Sequence, residues 1–184
     1  ESGEFFLATM HRAENVDDDG RLRTLMSALA GLHKFRGKRV ICSVHPRTRS
    51  KLEGLSDAPD MTGVELLEPF GFFDFVHLEQ EAFCVISDSG TVQEEACIFG
   101  TPNVTIRDVT ERPETIEAGS NILAGIESDS VLQAVNMVTS QDVTWTPPAE
   151  YMADGVAQIV SRIVLGHHNL DRAETQWRDS SGAS

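Results

Sequence analysis

A short polar segment between two apolar ones holds the groups in this sequence best suited to bind a phosphate. Residues 87–95 read Ser-Asp-Ser-Gly-Thr-Val-Gln-Glu-Glu, after an apolar run at 83–86 that is typical of a buried strand. An apolar-rich segment at 96–99 follows. A strand, a small turn and a helix in this order leave free backbone N–H groups at the helix start, where they can hold a phosphate. Glu94 and Glu95 lie in the first turns of that helix, where they can accept hydrogen bonds from sugar hydroxyls.

The same segment also has a simpler interpretation, as a capped turn between a strand and a helix. Ser, Asp and Thr are common N-cap residues, and Gly90 is an ordinary turn residue. A cap does not need two adjacent carboxylates and a glutamine, so we favour phosphate binding. The segment is not a Walker loop, because no Gly-Lys-Ser follows, and Ser89 lacks the flanking glycines of a nucleophile elbow.

Two further clusters combine cations with carboxylates. Residues 11–15 read His-Arg-Ala-Glu-Asn; the histidine can change protonation near neutral pH, and the arginine can neutralise a diphosphate. Residues 107–114 read Arg-Asp-Val-Thr-Glu-Arg-Pro-Glu. Pro113 suits the first turn of a helix, and Arg112 just before it can face an anion. The alternative interpretation of each cluster is an ordinary surface loop of paired or alternating charges.

Other polar groups give weaker indications. The His-Pro-Arg sequence at 45–47 is either a second anion contact or a turn at a strand end. We expect no metal site, because the three aspartates at 17–19 lack EF-hand spacing and the histidines at 167–168 lie near the end of the chain. A Ser-His-Asp hydrolase using Ser89 and His11 is conceivable, but no oxyanion motif accompanies it.

The elements that must position these groups alternate along the chain. Short apolar runs predict strands at 4–9, 39–44, 64–67, 83–87, 103–106 and 121–124. Helical patterns predict helices near 20–36, 47–54, 72–82, 91–99, 112–118, 127–140 and 151–165. This alternation predicts an α/β fold, a Rossmann-like parallel sheet with helices on both faces.

The polar clusters follow the predicted strands directly. In an open parallel sheet, ligands bind beyond the carboxyl ends of the strands. We therefore expect the clusters to meet along one edge of the sheet, where they bring together most of the chain's His and Arg residues.

Composition limits the partners. The net charge is −14, from 15 basic and 29 acidic residues, which argues against nucleic acid because binding its backbone needs a basic face. An anionic ligand must therefore rely on local N–H and Arg donors. We expect no membrane partner, because no apolar run approaches the roughly 20 residues of a membrane span. The three cysteines, an odd number without CxxC spacing, are typical of buried thiols in a cytoplasmic protein.

We predict one domain over residues 1–166 and a frayed polar tail over 167–184. A chain of 184 residues can form one compact α/β domain with a sizeable core. Because the first predicted strand follows Glu1 almost at once, we expect Glu1 to be a cut edge within a longer protein rather than its natural beginning.

The clusters resemble, in order, those of the non-hydrolysing UDP-N-acetylglucosamine 2-epimerases. The resemblance rests on Thr-Met-His-Arg-Ala-Glu-Asn at 9–15, Ser-Asp-Ser-Gly-Thr-Val-Gln-Glu-Glu-Ala at 87–96 and the cluster at 107–114. It covers about residues 4–166. Members of this family are two-domain enzymes of the glycosyltransferase-B architecture, and the chain resembles only their C-terminal, nucleotide-binding half.

The resemblance implies a UDP site. Ser89 and Gly90 would hold the phosphates, Glu95 would bind the ribose hydroxyls with Glu94 as the nearby alternative, and Phe75 would contact uracil through its backbone. The full set of implied UDP-binding residues is Arg12, Phe75, Ser89, Gly90, Thr91, Glu94 and Glu95.

The resemblance also implies catalytic and regulatory residues. Arg112 would meet the diphosphate, and His11 would assist the departure of UDP. His45 corresponds to a histidine that, in bacterial members, is associated with a second, regulatory UDP-sugar site. The reaction would need no cofactor, and relatives are commonly homodimers.

The chemistry that the resemblance implies explains why UDP must stay bound. The C2 proton of a UDP-sugar is not next to a carbonyl, so the family eliminates UDP across C1–C2 to give a glycal and then adds UDP back. Donors aimed at the growing phosphate charge stabilise that step. The family's catalytic carboxylates lie in the N-terminal half, which this chain does not match, so we expect the isolated fragment to be inactive.

Three alternatives remain at the level of sequence. Thr91 stands where many members have a second glycine, which resembles the subgroup that acts on UDP-2-acetamido-2,6-dideoxyhexoses for surface polysaccharides. The same fold and ribose-binding carboxylate would also suit the donor half of a glycosyltransferase. A non-catalytic sensor of UDP-sugars would use the same residues alone.

Overall fold

The computed structural model describes residues 1–57, 59–140 and 144–166. Its centre is a sheet of six parallel strands. The strands are β1 (Phe5–Thr9), β2 (Arg39–Ser43), β3 (Val64–Leu67), β4 (Cys84–Ser87), β5 (Asn103–Thr105) and β6 (Asn121–Leu123).

Helices connect the strands, as a parallel sheet requires. They are α1 (Ala13–Val16), α2 (Asp19–Arg36), α3 (Pro46–Glu53), α4 (Phe72–Glu81), α5 (Gly90–Phe99), α6 (Pro113–Glu117) and α7 (Ser128–Val138). A further helix, α8, covers residues 156–166. Asp18 caps α2, because its side chain accepts a hydrogen bond from the N–H of Arg21 at 2.8 Å.

The strands lie in the order β3-β2-β1-β4-β5-β6. The chain therefore builds outward from β1 in one direction, returns to the middle, and builds outward from β4 in the other direction. Thr9 of β1 and Ser87 of β4 are paired at the carboxyl ends of these two strands. The loops that leave the two strands border the same crevice.

The apolar side chains form a layer on each face of the sheet. Phe6 and Ala8 of β1 pack in one cluster with residues of α2 and α7, whereas Phe5 and Leu7 pack in the other with Val92 of α5. This alternation is the period of two that a strand buried on both faces shows. The sheet is thus covered by helices on both sides, which confirms the predicted α/β class.

The structure confirms all six predicted strands and differs from the sequence prediction in small ways. The short helix α1 was not predicted, and the last helix begins at residue 156 rather than 151. β3 alternates between half-buried and exposed residues, because it is the outermost strand and lacks a neighbour on one side. The three cysteines are free and buried, as predicted.

The chain divides into two compact units, Glu1–Tyr151 and Met152–Ser184. The described part of the second unit contains α8. The predicted tail at 167–184 lies outside the described residues, and a single domain over 1–166 stays a prediction. Across the described ranges, no helix combines the length and the apolar composition needed to cross a bilayer.

Candidate functional site at the centre of the sheet

A buried carboxylate, Asp88, joins the two loops that border the central crevice. Its Oδ2 accepts hydrogen bonds from the N–H of Arg12 at 3.0 Å and from Nδ2 of Asn15 at 3.1 Å. The N–H of His11 lies 3.2 and 3.1 Å from its two oxygens. A fully buried carboxylate is costly unless such donors compensate it. Asp88 therefore fixes the loop after β1 against the loop after β4.

The same carboxylate orients the imidazole of His11. Nδ1 of His11 lies 3.4 Å from Oδ1 of Asp88, and about half of the histidine side chain is exposed. The contact engages one ring nitrogen and leaves Nε2 for a ligand. An imidazole held in this way can take up or release a proton at the free nitrogen.

The start of α5 offers hydrogen-bond donors to the crevice. Ser89 is the N-cap residue, and its hydroxyl makes no capping hydrogen bond. Its N–H donates to Oγ of Ser87 at 3.0 Å. The next amides, of Gly90 and Thr91, have no acceptor within the helix because they belong to its first turn. The Ser89 hydroxyl and these amides can therefore bind an anion.

Arg112 faces this turn from the loop that follows β5. Its guanidinium carbon lies 3.7 Å from the point that a Cβ on Gly90 would occupy. Nε is hydrogen-bonded to Oε1 of Glu94, and Nη1 donates to the carbonyl of Glu111 at 2.9 Å. These two contacts hold the guanidinium of Arg112 over the helix start. Because residue 90 is a glycine, the space between the guanidinium and the helix start stays open.

Arg107 and Arg12, also near the crevice, differ in how many of their donors are already hydrogen-bonded. Arg107 is buried and paired with Glu111 at 3.3 Å and with Glu14 at 3.1 Å. Hydrogen bonding to Glu111 raises the pKa of Arg107, and the same contact lowers the pKa of Glu111. Arg12 lies 3.9 Å from Glu111, and its buried Nε has no hydrogen-bond partner among the described residues. Arg107 is therefore structural, whereas Arg12 retains donors for an anion.

Gln93 connects the start of α5 to the Arg112 loop. Its Nε2 donates to the carbonyl of Ser89 at 3.3 Å, and its Oε1 accepts from the hydroxyl of Thr110 at 2.7 Å. Oγ1 of Thr110 in turn accepts from the N–H of Arg112 at 3.1 Å. Because Gln93 is fully buried, this chain of bonds holds the two sides of the anion site at a fixed separation.

Glu95, further along α5, is within hydrogen-bonding reach of a second carboxyl, that of Glu79. The side chain of Glu79 in α4 is fully buried, and its two oxygens have no hydrogen-bond donor among the described residues. Burial raises the pKa of Glu79 to about 8, with the charge of Glu95 as the next cause. Burial also raises the pKa of Glu95.

Phe75 lies in the first turn of α4, where its side chain packs against the core. Its N–H donates to the carbonyl of Gly71 at 2.9 Å. A contact between its backbone and uracil stays a prediction.

His45 lies in a neighbouring cavity of about 250 Å³, which also has His11, Asp17, Arg47 and Thr48 on its walls. His45 is the N-cap residue of α3, and its Nδ1 accepts from the N–H of Arg47 at 3.2 Å. Arg47 donates to both oxygens of Asp17, at 2.7 and 2.9 Å. The imidazole of His45 therefore caps α3 and also lines this cavity.

The structure brings most of the predicted site residues together around the helix start: His11, Arg12, Ser89, Gly90, Thr91, Glu94 and Arg112. Sequence reasoning assigned no role to Asp88, Gln93 or Glu79. Asp88 and Gln93 lie inside the motif at 87–95, so position alone could have suggested them. The only sequence signal for Glu79 is that it shares one helical face with Phe75 and Leu78.

A parallel sheet with an anion-binding helix start at the point of strand reversal defines a Rossmann-like α/β domain, of the kind that makes up half of a glycosyltransferase-B enzyme. The chain belongs to the UDP-N-acetylglucosamine 2-epimerase family, whose model matches residues 1–164.

Individual relatives agree with this assignment. The chain is 38% identical to the UDP-N-acetylglucosamine 2-epimerase of Methanocaldococcus jannaschii over 79% of its own length and 40% of the relative's. It is 39% identical to the UDP-2,3-diacetamido-2,3-dideoxy-D-glucuronate 2-epimerase of Pseudomonas aeruginosa, covering 71% of this chain and 36% of that one.

Solved structures share the fold. The UDP-N-acetylglucosamine 2-epimerase of Rickettsia bellii superposes with a TM-score of 0.80 at 35% identity, over 92% of this chain and 46% of that chain. The M. jannaschii enzyme, solved in complex with UDP-GlcNAc and UDP, gives 0.77 at 35% identity over 88% and 45%. The chain thus spans less than half the length of the relatives it matches.

Proposed function

We propose that this chain is the UDP-binding half of a non-hydrolysing UDP-N-acetylglucosamine 2-epimerase. The observation that carries the proposal is the helix start at Ser89 and Gly90, which Arg112 faces, together with the preceding Asp88, which holds the imidazole of His11. Backbone amides and a guanidinium can bind a diphosphate, and an imidazole beside the diphosphate can assist the breaking of its bond to C1 of the sugar. The relative solved with UDP-GlcNAc and UDP supports the choice of ligand.

Each predicted residue has a role in this proposal. Ser89, Gly90 and Thr91 bind the phosphates through the hydroxyl and the free amides, and Arg12 and Arg112 neutralise them. The ribose hydroxyls bind to Glu95. Glu94 is the weaker candidate for that role because it is already hydrogen-bonded to Arg112. In addition to these contacts, Phe75 marks the uracil end of the site.

The proposed reaction uses these contacts to keep UDP in place. UDP leaves C1 as the C2 proton is removed, which gives a glycal, and UDP then returns to C1 after C2 is protonated on the other face. Arg112 and the amides stabilise the charge that grows on the leaving phosphate, while His11 assists departure. Holding both fragments avoids the entropic cost of a second encounter.

The remaining features of the proposal concern the complete protein, by which we mean this chain joined to an N-terminal half like that of its relatives. That half supplies the carboxylates for the C2 proton, and the complete protein is a cytoplasmic homodimer. The cavity beside His45 is the regulatory UDP-sugar site. Thr91 favours a 2-acetamido-2,6-dideoxyhexose as the sugar.

Two measurements on the complete protein test the proposal. Calorimetry should detect UDP binding, and its absence would refute the UDP site. Incubation with UDP-N-acetylglucosamine or with a UDP-2-acetamido-2,6-dideoxyhexose in deuterated water should place deuterium at C2 of the sugar that is the substrate. Transfer of the sugar without deuterium at C2 would identify a glycosyltransferase, and UDP-sugar binding without either reaction would identify a sensor.

A further inference from the structure

We propose that Glu79 is a positioning residue for UDP, which shares one proton with Glu95 and thereby orients the carboxylate that accepts from the ribose. The inference rests on the proposed function, because that function assigns the ribose hydroxyls to Glu95. Glu79 itself touches no substrate: it acts from α4 through its neighbour on α5.

The first argument is the burial of an acid on an apolar helix face. Glu79 follows Phe75 and Leu78 at helical spacing, and both of those side chains pack against the core layer of Phe5, Leu7 and Val85. The side chain of Glu79 is 0% exposed. Charged carboxylates are almost never fully buried without a partner, so this position requires either a donor or a proton.

The second argument is that the described residues supply no donor. Neither carboxyl oxygen of Glu79 accepts a hydrogen bond from them. The hydroxyl of Thr101 donates to the backbone carbonyl of Glu79 at 3.0 Å rather than to its side chain. Glu79 must therefore carry the proton itself and donate it to an acceptor.

The third argument is the set of charges around the pair. Among the residues that the structure describes, the charged groups acting on Glu79 and Glu95 are the two carboxyls themselves and Glu94. Glu94 is already hydrogen-bonded to Arg112. Two carboxyls in contact without a cation hold one proton between them. The more deeply buried Glu79 keeps it, consistent with the raised pKa of about 8 at this residue.

This arrangement has a direct consequence for ligand binding. The O–H of Glu79 donates to one oxygen of Glu95, which stays ionised and has its plane fixed. A carboxylate with a fixed plane can accept from two adjacent ribose hydroxyls without first losing side-chain freedom. When Glu79 ionises, the two charges repel, and Glu95 loses this orientation. UDP should therefore bind less tightly above about pH 8.

The test compares two substitutions of Glu79 in the complete protein. Glu79→Gln keeps a donor for Glu95 but cannot ionise, whereas Glu79→Met keeps the size and removes the donor. Calorimetry measures the Kd of UDP at about pH 7 and about pH 9. The titration of UDP itself is common to all variants and cancels in the comparison. Glu53→Gln, at an exposed position of α3, is the matched control.

We expect the wild type and Glu53→Gln to bind UDP roughly tenfold more weakly at about pH 9 than at about pH 7. Glu79→Gln should bind like the wild type at the lower pH and lose this extra weakening. Glu79→Met should bind roughly tenfold more weakly at the lower pH, again without the extra weakening. Equal pH dependence in the wild type and Glu79→Gln, or wild-type affinity in Glu79→Met at the lower pH, would overturn the inference.

The 2′,3′-dideoxy analogue of UDP separates an effect on Glu95 from a general one. It lacks the hydroxyls that Glu95 binds, so its affinity should be the same in the wild type and in both Glu79 variants. A variant that weakens both ligands equally acts by distorting the fold, and this result would also overturn the inference.

Thermal unfolding without ligand separates failure of this inference from failure of the proposed function. The pKa of Glu79 is higher in the folded state than the ordinary 4.5. Its protonation therefore stabilises the fold fully below about pH 4.5, and the effect is lost as the pH rises to about 8. The melting temperature of Glu79→Gln relative to the wild type should rise from about pH 5 to about pH 9. This rise without any UDP binding would overturn the proposed function alone, and its absence would overturn the proton sharing.

Discussion

Replacing Asp88 with asparagine would remove the charge that holds the two central loops together. In the wild type, Oδ2 accepts from His11, Arg12 and Asn15. A neutral amide oxygen there accepts more weakly, and the NH2 group in place of Oδ1 would face the N–H of His11, donor against donor. We expect Asp88→Asn to lower the free energy of unfolding by about 1–3 kcal/mol, because buried N–H groups lose their acceptor. UDP affinity should fall as well, since the loop carrying His11 is no longer fixed. Urea unfolding and calorimetry measure the two effects.

Asp17→Asn is the matched control for Asp88→Asn. Asp17 forms an ion pair with Arg47 in which both side chains are well exposed. Such pairs contribute about 0–1 kcal/mol, so this variant should keep nearly the stability of the wild type. An equal loss of stability in the two variants would contradict the special role of Asp88.

Arg112→Lys tests whether the guanidinium is needed for its shape as well as its charge. Lysine has no planar fork, so it cannot contact Glu94, the Glu111 carbonyl and a phosphate at the same time. We expect the Kd of UDP to rise at least about tenfold, with little change in stability. Arg39→Lys, in an exposed pair with Glu65, should leave the Kd unchanged. An Arg112→Lys variant with wild-type affinity would show that Arg112 does not bind the diphosphate.

At the scale of elements, substitutions of two glycines distinguish an effect on ligand binding from an effect on stability. The nearest side-chain atoms to a Cβ at Gly90 would be those of the Arg112 guanidinium, at 3.7 Å or more, and Gly90 is the first residue of α5. Gly90→Ala should therefore leave the stability unchanged or raise it by up to about 1 kcal/mol. It should nevertheless weaken UDP binding, because the methyl group fills the space between the amides and the guanidinium.

Gly63→Ala should have the opposite outcome. Gly63 has φ +76°, and a Cβ there would lie 2.0 Å from the ring of His33. We expect a loss of stability of more than about 1 kcal/mol, because the backbone strain adds to the clash. Urea unfolding and UDP calorimetry on both variants give the comparison. A Gly90→Ala variant that is unstable, or that binds UDP normally, would contradict the open space proposed at the helix start.

The elements also show what the sequence could predict. Each strand was visible because a buried parallel strand is a short apolar run, and β3 remained recognisable although it lies at the edge. The helix α1 escaped prediction because four residues between a polar loop and the Asp18 cap carry no helical period. The cluster at 87–95 was recognisable because an anion site at a helix start is local in sequence.

The contacts that complete the site are not local, and for this reason they could not be predicted. Asp88 bonds to residues 73 to 77 positions earlier, a pairing set by the strand order β1-β4. Glu79 was unremarkable in sequence, because its burial depends on how α4 packs on α5. Fold class thus follows from periodicity, whereas the partners of buried charges require the tertiary structure.

At the scale of the whole molecule, the proposed function requires an acidic chain to bind an acidic ligand. With a net charge of −14, the long-range field opposes an incoming nucleotide diphosphate, and screening confines the attraction to short range. Most cations at the crevice are already paired: Arg107 with two glutamates and Arg112 with Glu94. Binding must therefore exchange internal contacts for contacts to phosphate, which favours fixed amides over mobile charges.

In the proposed reaction, the same pairing divides the chemistry between two halves of the complete protein. In the described loops around the crevice, the carboxylates are engaged: Asp88 with backbone donors, Glu14 and Glu111 with Arg107, and Glu94 with Arg112. Removing the C2 proton needs a base within reach of the sugar, and an engaged carboxylate is poorly suited to that task. The base should therefore lie in the half that this chain lacks relative to its relatives.

The isolated 184-residue chain should consequently bind UDP but place no deuterium at C2 of UDP-N-acetylglucosamine in deuterated water. The complete protein should do both, because it brings the base to a leaving group that this chain already holds. Mass spectrometry of the recovered UDP-sugar measures the exchange, and calorimetry on the same samples verifies that the chain is folded and binds UDP. Deuterium at C2 with the isolated chain would locate the base among the residues described above, and His11, with its free Nε2, would then be the first to substitute.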